Sequence, residues 1–128
     1  MNKVIVDGKV AVLYSPGYGA GWFSWHNVEE LIYDPEVVKL VEKMGETNSK
    51  WREADKRGDV AAVHSLQKYY YALTHKIVEY TEKNYDAYAG GADQLSIAWL
   101  PVGTKFRITE YDGSEGLEYE EEQEWMVA

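Results

Sequence analysis

Cysteine is absent from this 128-residue chain, and with it any disulfide framework or thiolate zinc site. Basic charge is scarce. Against 22 aspartates and glutamates stand 13 lysines and arginines, a formal charge of −9, and the arginines are Arg52, Arg57 and Arg107 alone. A duplex nucleic-acid binder draws most of its affinity from cations on phosphates, so this balance has the wrong sign for one. It suits solubility or attraction to a basic protein partner. Long apolar runs are missing too. The opening residues MNKVIVDGKVAVLY are broken at Asp7, Gly8 and Lys9, which matches neither a signal peptide nor a membrane span. A cytoplasmic location is therefore expected.

Aromatic residues, in contrast, are abundant, with 5 Trp and 11 Tyr. These side chains fill cores and also mark binding surfaces. The length suits a single domain spanning residues 1–128, divided into strands and a loop (1–33), helices (34–84) and a closing β region (95–120). Val4, Val6, Val10, Val12 and Tyr14 alternate around Asp7-Gly8, a hairpin signal. Asp34-Pro35 has the chemistry of a helix start. The apolar stripe Val37, Val38, Leu40, Val41, Met44 followed by Gly45 predicts a short helix over 35–44. A polar connector, Glu46 to Ser49, then leads to a second helical piece from near Lys50, which Gly58-Asp59 interrupts or re-caps. Beyond it Val63, Leu66, Tyr70, Leu73, Ile77 and Tyr80 recur at spacings of three and four. This seam either packs on the protein's own sheet or pairs with a second copy, the latter favoured by Tyr69 and Tyr71. Leu95, Ile97 and Trp99, then Phe106 and Ile108, then Leu117 and Tyr119 alternate around turns at Pro101-Val102-Gly103 and Asp112-Gly113, a predicted three-strand meander. The fold class expected is α+β: an antiparallel sheet built from both chain ends with an inserted helical region.

The segment SPGYGAGWFSWHN, residues 15–27, places Gly17, Gly19 and Gly21 against Trp22, Phe23 and Trp25. It lacks the Gly-Lys-Ser/Thr ending of a phosphate-binding loop and the spacing of a dinucleotide fingerprint. Two readings remain. The aromatics cover an open end of the sheet, or they face a ligand: backbone N–H groups near Gly19 and Gly21 suit phosphate or ribose oxygens, and the faces of Tyr18, Trp22, Phe23 and Trp25 suit a base or a sugar ring. Arg107, in the strand KFRITEYDGS, is the candidate phosphate cation, with a solvent-facing strand arginine as the plain alternative. Arg57, beside the helix interruption, reaches a ligand or merely satisfies terminal carbonyls. Asp112 in its turn and Asp93 in the second glycine loop, YAGGADQ, are candidates to orient a hydroxyl, although turn chemistry alone also explains Asp112. Catalysis has little support. His26, His64 and His75 share no metal-ligand spacing, Ser24 and His26 stand too close in sequence for a triad, and no Gly-x-Ser-x-Gly elbow exists. No metal or cofactor is expected. The glutamates between Glu118 and Glu124 form a solvated edge or a phosphate decoy for a basic groove on another protein.

The run VAVLYSPGYGAGWFSWHN, taken with YAGGADQLSIAWLPVGTKFRITEYDGSEG, resembles a group of short phage and prophage proteins. The likeness covers about the first 45 and the last 40 residues and leaves the helical middle unmatched. In size, layout and pocket chemistry the chain is similar to the Thoeris anti-defence family of phage sponges, though no binding motif of that family aligns residue by residue. The resemblance implies a non-catalytic protein in the host cytoplasm. Such a protein binds and sequesters a small nucleotide-type immune signal of the cyclic ADP-ribose or cyclic nucleotide class, as a homo-oligomer. The alternatives from other classes are an acidic protein that inhibits a host defence nuclease, and a hydrolase of the same kind of signal.

Overall fold

The computed structural model describes residues 2–17 and 21–119. Strand β1 (Ile5–Val6) turns into β2 (Lys9–Tyr14) through Asp7-Gly8, both left-handed at φ 51° and 74°. Two consecutive left-handed residues are what a two-residue hairpin loop requires, and Asp-Gly supplies them at little cost. A one-turn helix α1 (Phe23–His26) and a 3₁₀ segment (Glu29–Tyr33) follow. Two long helices come next, α2 (Pro35–Arg57) and α3 (Val60–Tyr85), and then a 3₁₀ turn (Ala92–Gln94). The chain closes with β3 (Ser96–Pro101), β4 (Phe106–Tyr111) and β5 (Ser114–Tyr119). The fold is α+β, with antiparallel strands from both chain ends and the helices inserted between them.

The last three strands do not form the expected meander. β3 pairs along its whole length with β2, from Lys9↔Pro101 to Tyr14↔Ser96, giving a sheet of order β1-β2-β3. β4 and β5 form a separate hairpin around Asp112-Gly113. The reason lies in β2. Val10, Ala11, Val12 and Leu13 are all buried, so both faces of this strand are covered and it sits at the centre of its sheet. With only the two-residue β1 on one side, its other backbone edge needs a full-length partner, and β3 matches it in length.

The helical region is also simpler than expected. Asp34 caps α2 as its chemistry predicts: Oδ1 accepts from the N–H groups of Glu36 (2.9 Å) and Val37 (3.2 Å). The helix then runs through Gly45 without a break and ends at Gly58, whose φ of 72° gives a left-handed cap. Asp59 caps α3 through the Ala62 N–H, 3.1 Å away. A glycine in a helix interior costs only about 1 kcal/mol relative to alanine. Beyond it, Thr47 and Ala54 are buried, and that packing carries α2 past the weak point. The seam of α3 faces α2, so the two helices form an antiparallel hairpin. Leu73 and Ile77 complete a core with Leu13, Trp22, Leu31 and Met44, while Tyr69 and Tyr71 stay on the outer surface.

Two substitutions of the same kind should have opposite signs. A Cβ added at Gly45 meets nothing within 4 Å, so Gly45→Ala should stabilise the fold by roughly 0.5–1 kcal/mol through helix propensity. Gly58→Ala should destabilise it by about 1 kcal/mol, because alanine resists the left-handed conformation. Urea midpoints of the two variants check both signs.

Candidate functional site

The glycine–aromatic segment is organised around one buried carboxylate. Glu115, at the start of β5, is 2% exposed. Its Oε1 accepts the Ser15 N–H (2.9 Å), and its Oε2 accepts the N–H of Trp22 (3.0 Å), the N–H of Ser24 (2.7 Å) and the Ser24 hydroxyl (2.7 Å). The Glu115 N–H in turn donates to the Ser15 carbonyl at 2.8 Å. Converging backbone donors of this kind make an anion site, and here the anion is the chain's own side chain. The Trp22 N–H, next to Gly21 in the stretch whose backbone donors were offered to a phosphate, therefore points inward, as does the N–H of Ser24.

That inward pull sorts the aromatics. Trp22 is fully buried, with its ring edge-on to His26 at 4.7 Å and its indole N–H lacking an acceptor among the described residues. Of the two readings of Trp22, cover for the sheet or a face for a ligand, its burial fits the first, because the Glu115 bond draws its backbone inside. Phe23 is half-buried and packs against the core. Trp25, one helical turn along, is 60% exposed, and its ring lies 5.9 Å from that of Tyr88, itself 64% exposed. Each ring is seated over a glycine. A Cβ at Gly21 would stand 2.3 Å from the Trp25 ring, and one at Gly90 would stand 2.5 Å from the Tyr88 ring. The glycines are thus flat seats for two outward aromatics.

Beside Trp25 lies an open cleft of about 380 Å³, lined by Ser24, Glu110, Asp112 and Gly113. The Asp112 turn is tied to its strand by Glu110, whose Oε1 accepts the Gly113 N–H at 2.6 Å. The structure therefore brings Trp25 and Asp112 together. Arg107 is not in the cleft. It is exposed and ion-paired across the β4–β5 hairpin with Glu118, its register partner. That pairing raises the guanidinium pKa and lowers that of Glu118. Asp93 is exposed in the 3₁₀ turn, outside the cleft lining, with its carbonyl receiving the Tyr70 hydroxyl. Arg57 pairs with Asp59 at 3.5 Å. Tyr18, Gly19 and the run Glu120 to Glu124 lie outside the described residues. Sequence reasoning missed Tyr88, Glu110 and Glu115. The only local signal for any of them is the glycine pair that follows Tyr88.

Two other polar groups complete the picture. His26 accepts the Val28 N–H on Nδ1 (2.9 Å), while Nε2 is buried without a partner among the described residues. Burial drives its pKa down to about 4, opposed in part by the nearby Glu115 charge, so the ring is neutral near pH 7. Asp34 uses its second oxygen to accept the hydroxyls of Tyr80 (2.9 Å) and Tyr85. Burial and then the Asp34 bond push Tyr80 up to about 12 and Tyr85 further still. With its backbone bonds this carboxylate is saturated by four donors, a structural clasp.

No protein-family model matches the chain, nor does any curated protein or solved structure. Among the described residues no group of three or more His, Cys, Asp or Glu is placed to hold a metal, and no helix is long and apolar enough to cross a membrane.

Two measurements separate core from surface here. Trp22→Ala should cost about 3–5 kcal/mol of stability, whereas Trp25→Ala should stay within about 0.5 kcal/mol of the parent; denaturant unfolding of both variants checks the contrast. The depressed His26 pKa has its own signature. Between 6.5 and about 4 the unfolded chain takes up a proton that the folded chain refuses, so this contribution to stability is intact above that window and lost as pH falls through it. His26→Gln should show a shallower loss of stability over the same range.

Proposed function

We propose that this protein is a non-catalytic binding protein that receives a cationic side chain of a basic protein partner in the cleft beside Trp25. One observation carries the reading: an exposed indole, paired with Tyr88, stands next to the carboxylates of Glu110 and Asp112. An aromatic face with adjacent carboxylates is a receptor for guanidinium or ammonium, through cation–π attraction and charge-assisted hydrogen bonds. A phosphate finds the opposite environment there. The backbone donors of Trp22 and Ser24 are held by Glu115, and Arg107 is engaged with Glu118. The formal charge of −9 adds long-range attraction for a basic partner. A host nuclease with a basic nucleic-acid groove is a partner of this chemistry.

A second reading is favoured by the aromatic pair itself. Trp25 offers one exposed face to a flat ring, and stacking a base on such a face is worth roughly 1–3 kcal/mol. Glu110 and Asp112 are acceptors for ribose hydroxyls or exocyclic amines. In this reading the protein is a phage anti-defence sponge that sequesters a small nucleotide-type signal, in line with the likeness of its glycine–aromatic segment to short phage proteins. The signal's base and ribose occupy the cleft, and its phosphates remain in solvent.

Titration of ¹⁵N-labelled protein tests both readings, following the Trp25 indole resonance assigned with Trp25→Phe. The expected result is a shift with a diarginine amide that weakens as salt rises and disappears in Asp112→Asn combined with Glu110→Gln. A shift with cyclic ADP-ribose or cyclic nucleotides, and none with diarginine, would replace the first reading by the second. Such a ligand, heat-released and chromatographed, should return intact; an altered ligand would make the protein a hydrolase.

A further inference from the structure

A second concavity, sharing no lining residue with the Trp25 cleft, runs between α2 and β3 and encloses about 390 Å³. Its helical wall is built from Val41, Met44, Gly45 and Asn48, positions i, i+3, i+4 and i+7 that form one face of α2. Its other wall is Gln94 and Leu95, which lead into β3, and the first two residues of that strand, Ser96 and Ile97. Successive strand side chains point to opposite faces, so a hollow that meets both Ser96 and Ile97 lies at the strand's edge. β3 is indeed an edge: β2 pairs with one side of it, and no other described strand pairs with the other. The floor of the hollow is apolar, formed by the buried Val41, Met44 and Leu95, while Asn48, Gln94 and Ser96 bring polar groups to its sides. Tyr70 bounds the hollow and is held in place by its bond to the Asp93 carbonyl.

Gly45 is the telling residue. It weakens the helix, yet a Cβ there would meet nothing within 4 Å, so no contact within the described structure requires the glycine. Its effect is to leave the helical wall low beside the strand edge. The ionisable carboxylate on the wall is Glu42, and the chain as a whole carries −9.

We infer that this groove docks an extended, cationic segment of another protein, which adds as a strand to the outer edge of β3 and lies against α2 at Gly45. An open strand edge presents alternating N–H and C=O groups, which are matched by a main chain and not by a compact small molecule. The apolar floor takes every second side chain of the incoming strand. A lysine or arginine of that strand meets Glu42. The site goes beyond the Trp25 reading and does not depend on it.

Selection of a displayed library of random nonapeptides against the whole protein tests the inference. Enriched sequences should alternate apolar residues with lysine or arginine. In a synthetic copy of the best binder, N-methylation of single backbone amides should weaken binding about tenfold at every second position and be tolerated between them, the signature of strand addition. Gly45→Leu, which raises the helical wall, should weaken binding by a similar factor while its thermal midpoint stays at or above the parent's. Glu42→Lys, at an exposed position, provides the same loss should the leucine variant fail to fold. Trp25→Ala should bind normally. The inference is overturned by a selection that enriches nothing, by N-methylation tolerated throughout, or by binders indifferent to both Gly45→Leu and Glu42→Lys. Binders lost in Trp25→Ala alone would overturn it as well and would assign cationic recognition to the first cleft.

Discussion

The Glu115 carboxylate is the contact on which the rest of the N-terminal architecture depends. It joins residues about a hundred positions apart in sequence, and it does so through backbone N–H groups that belong to no regular ladder. Buried main-chain donors left without acceptors cost about 1–3 kcal/mol each, so a loop that enters the interior needs an internal acceptor. Glu115 serves three such donors and a hydroxyl at once. By fixing Trp22 and Ser24 it sets the start of α1, and α1 sets the outward placement of Trp25. The exposed aromatic surface is therefore a consequence of a buried anion.

The same constraint explains what was legible in the sequence. Features decided within a few residues could be read directly. Asp7-Gly8 and Asp112-Gly113 make two-residue turns, and Asp34-Pro35 starts a helix, because each depends on local dihedral angles and one or two hydrogen bonds. The α+β class followed from the change of hydrophobic period along the chain. Gly45 misled because its local helix penalty is small beside the packing of Thr47 and Ala54 that lies beyond it. The partner of β3 could not be read at all, since the choice between β2 and β4 depends on β2 being covered on both faces.

Discrimination between Trp22 and Trp25 shows the limit most clearly. The two residues are three positions apart and share one glycine-rich segment, yet one is wholly buried and the other projects into solvent. Nothing near them separates these fates. The separating residue is Glu115, an ordinary glutamate in an acidic chain until its donors are known. Tyr88 was hidden in the same way, because its role comes from a ring placed against it by a distant loop. Arg107 looked available to a ligand because its cross-strand neighbour was not yet fixed as Glu118.

The Asp34 clasp carries a consequence for how this architecture can vary. Two tyrosine hydroxyls near the end of α3 are bound to the residue that begins α2, so the entry and exit of the helical pair meet at one point. The pair is a closed arm held at its shoulder. Its inner turns supply Val37, Val41, Leu73 and Ile77 to the core and are not dispensable. Its outer turns, towards Gly58, bury little beyond Ala54. Adding or removing about seven residues in each helix there restores nearly the same facing sides, so the arm's length can drift between related chains while the shoulder and both strand pairs keep their register.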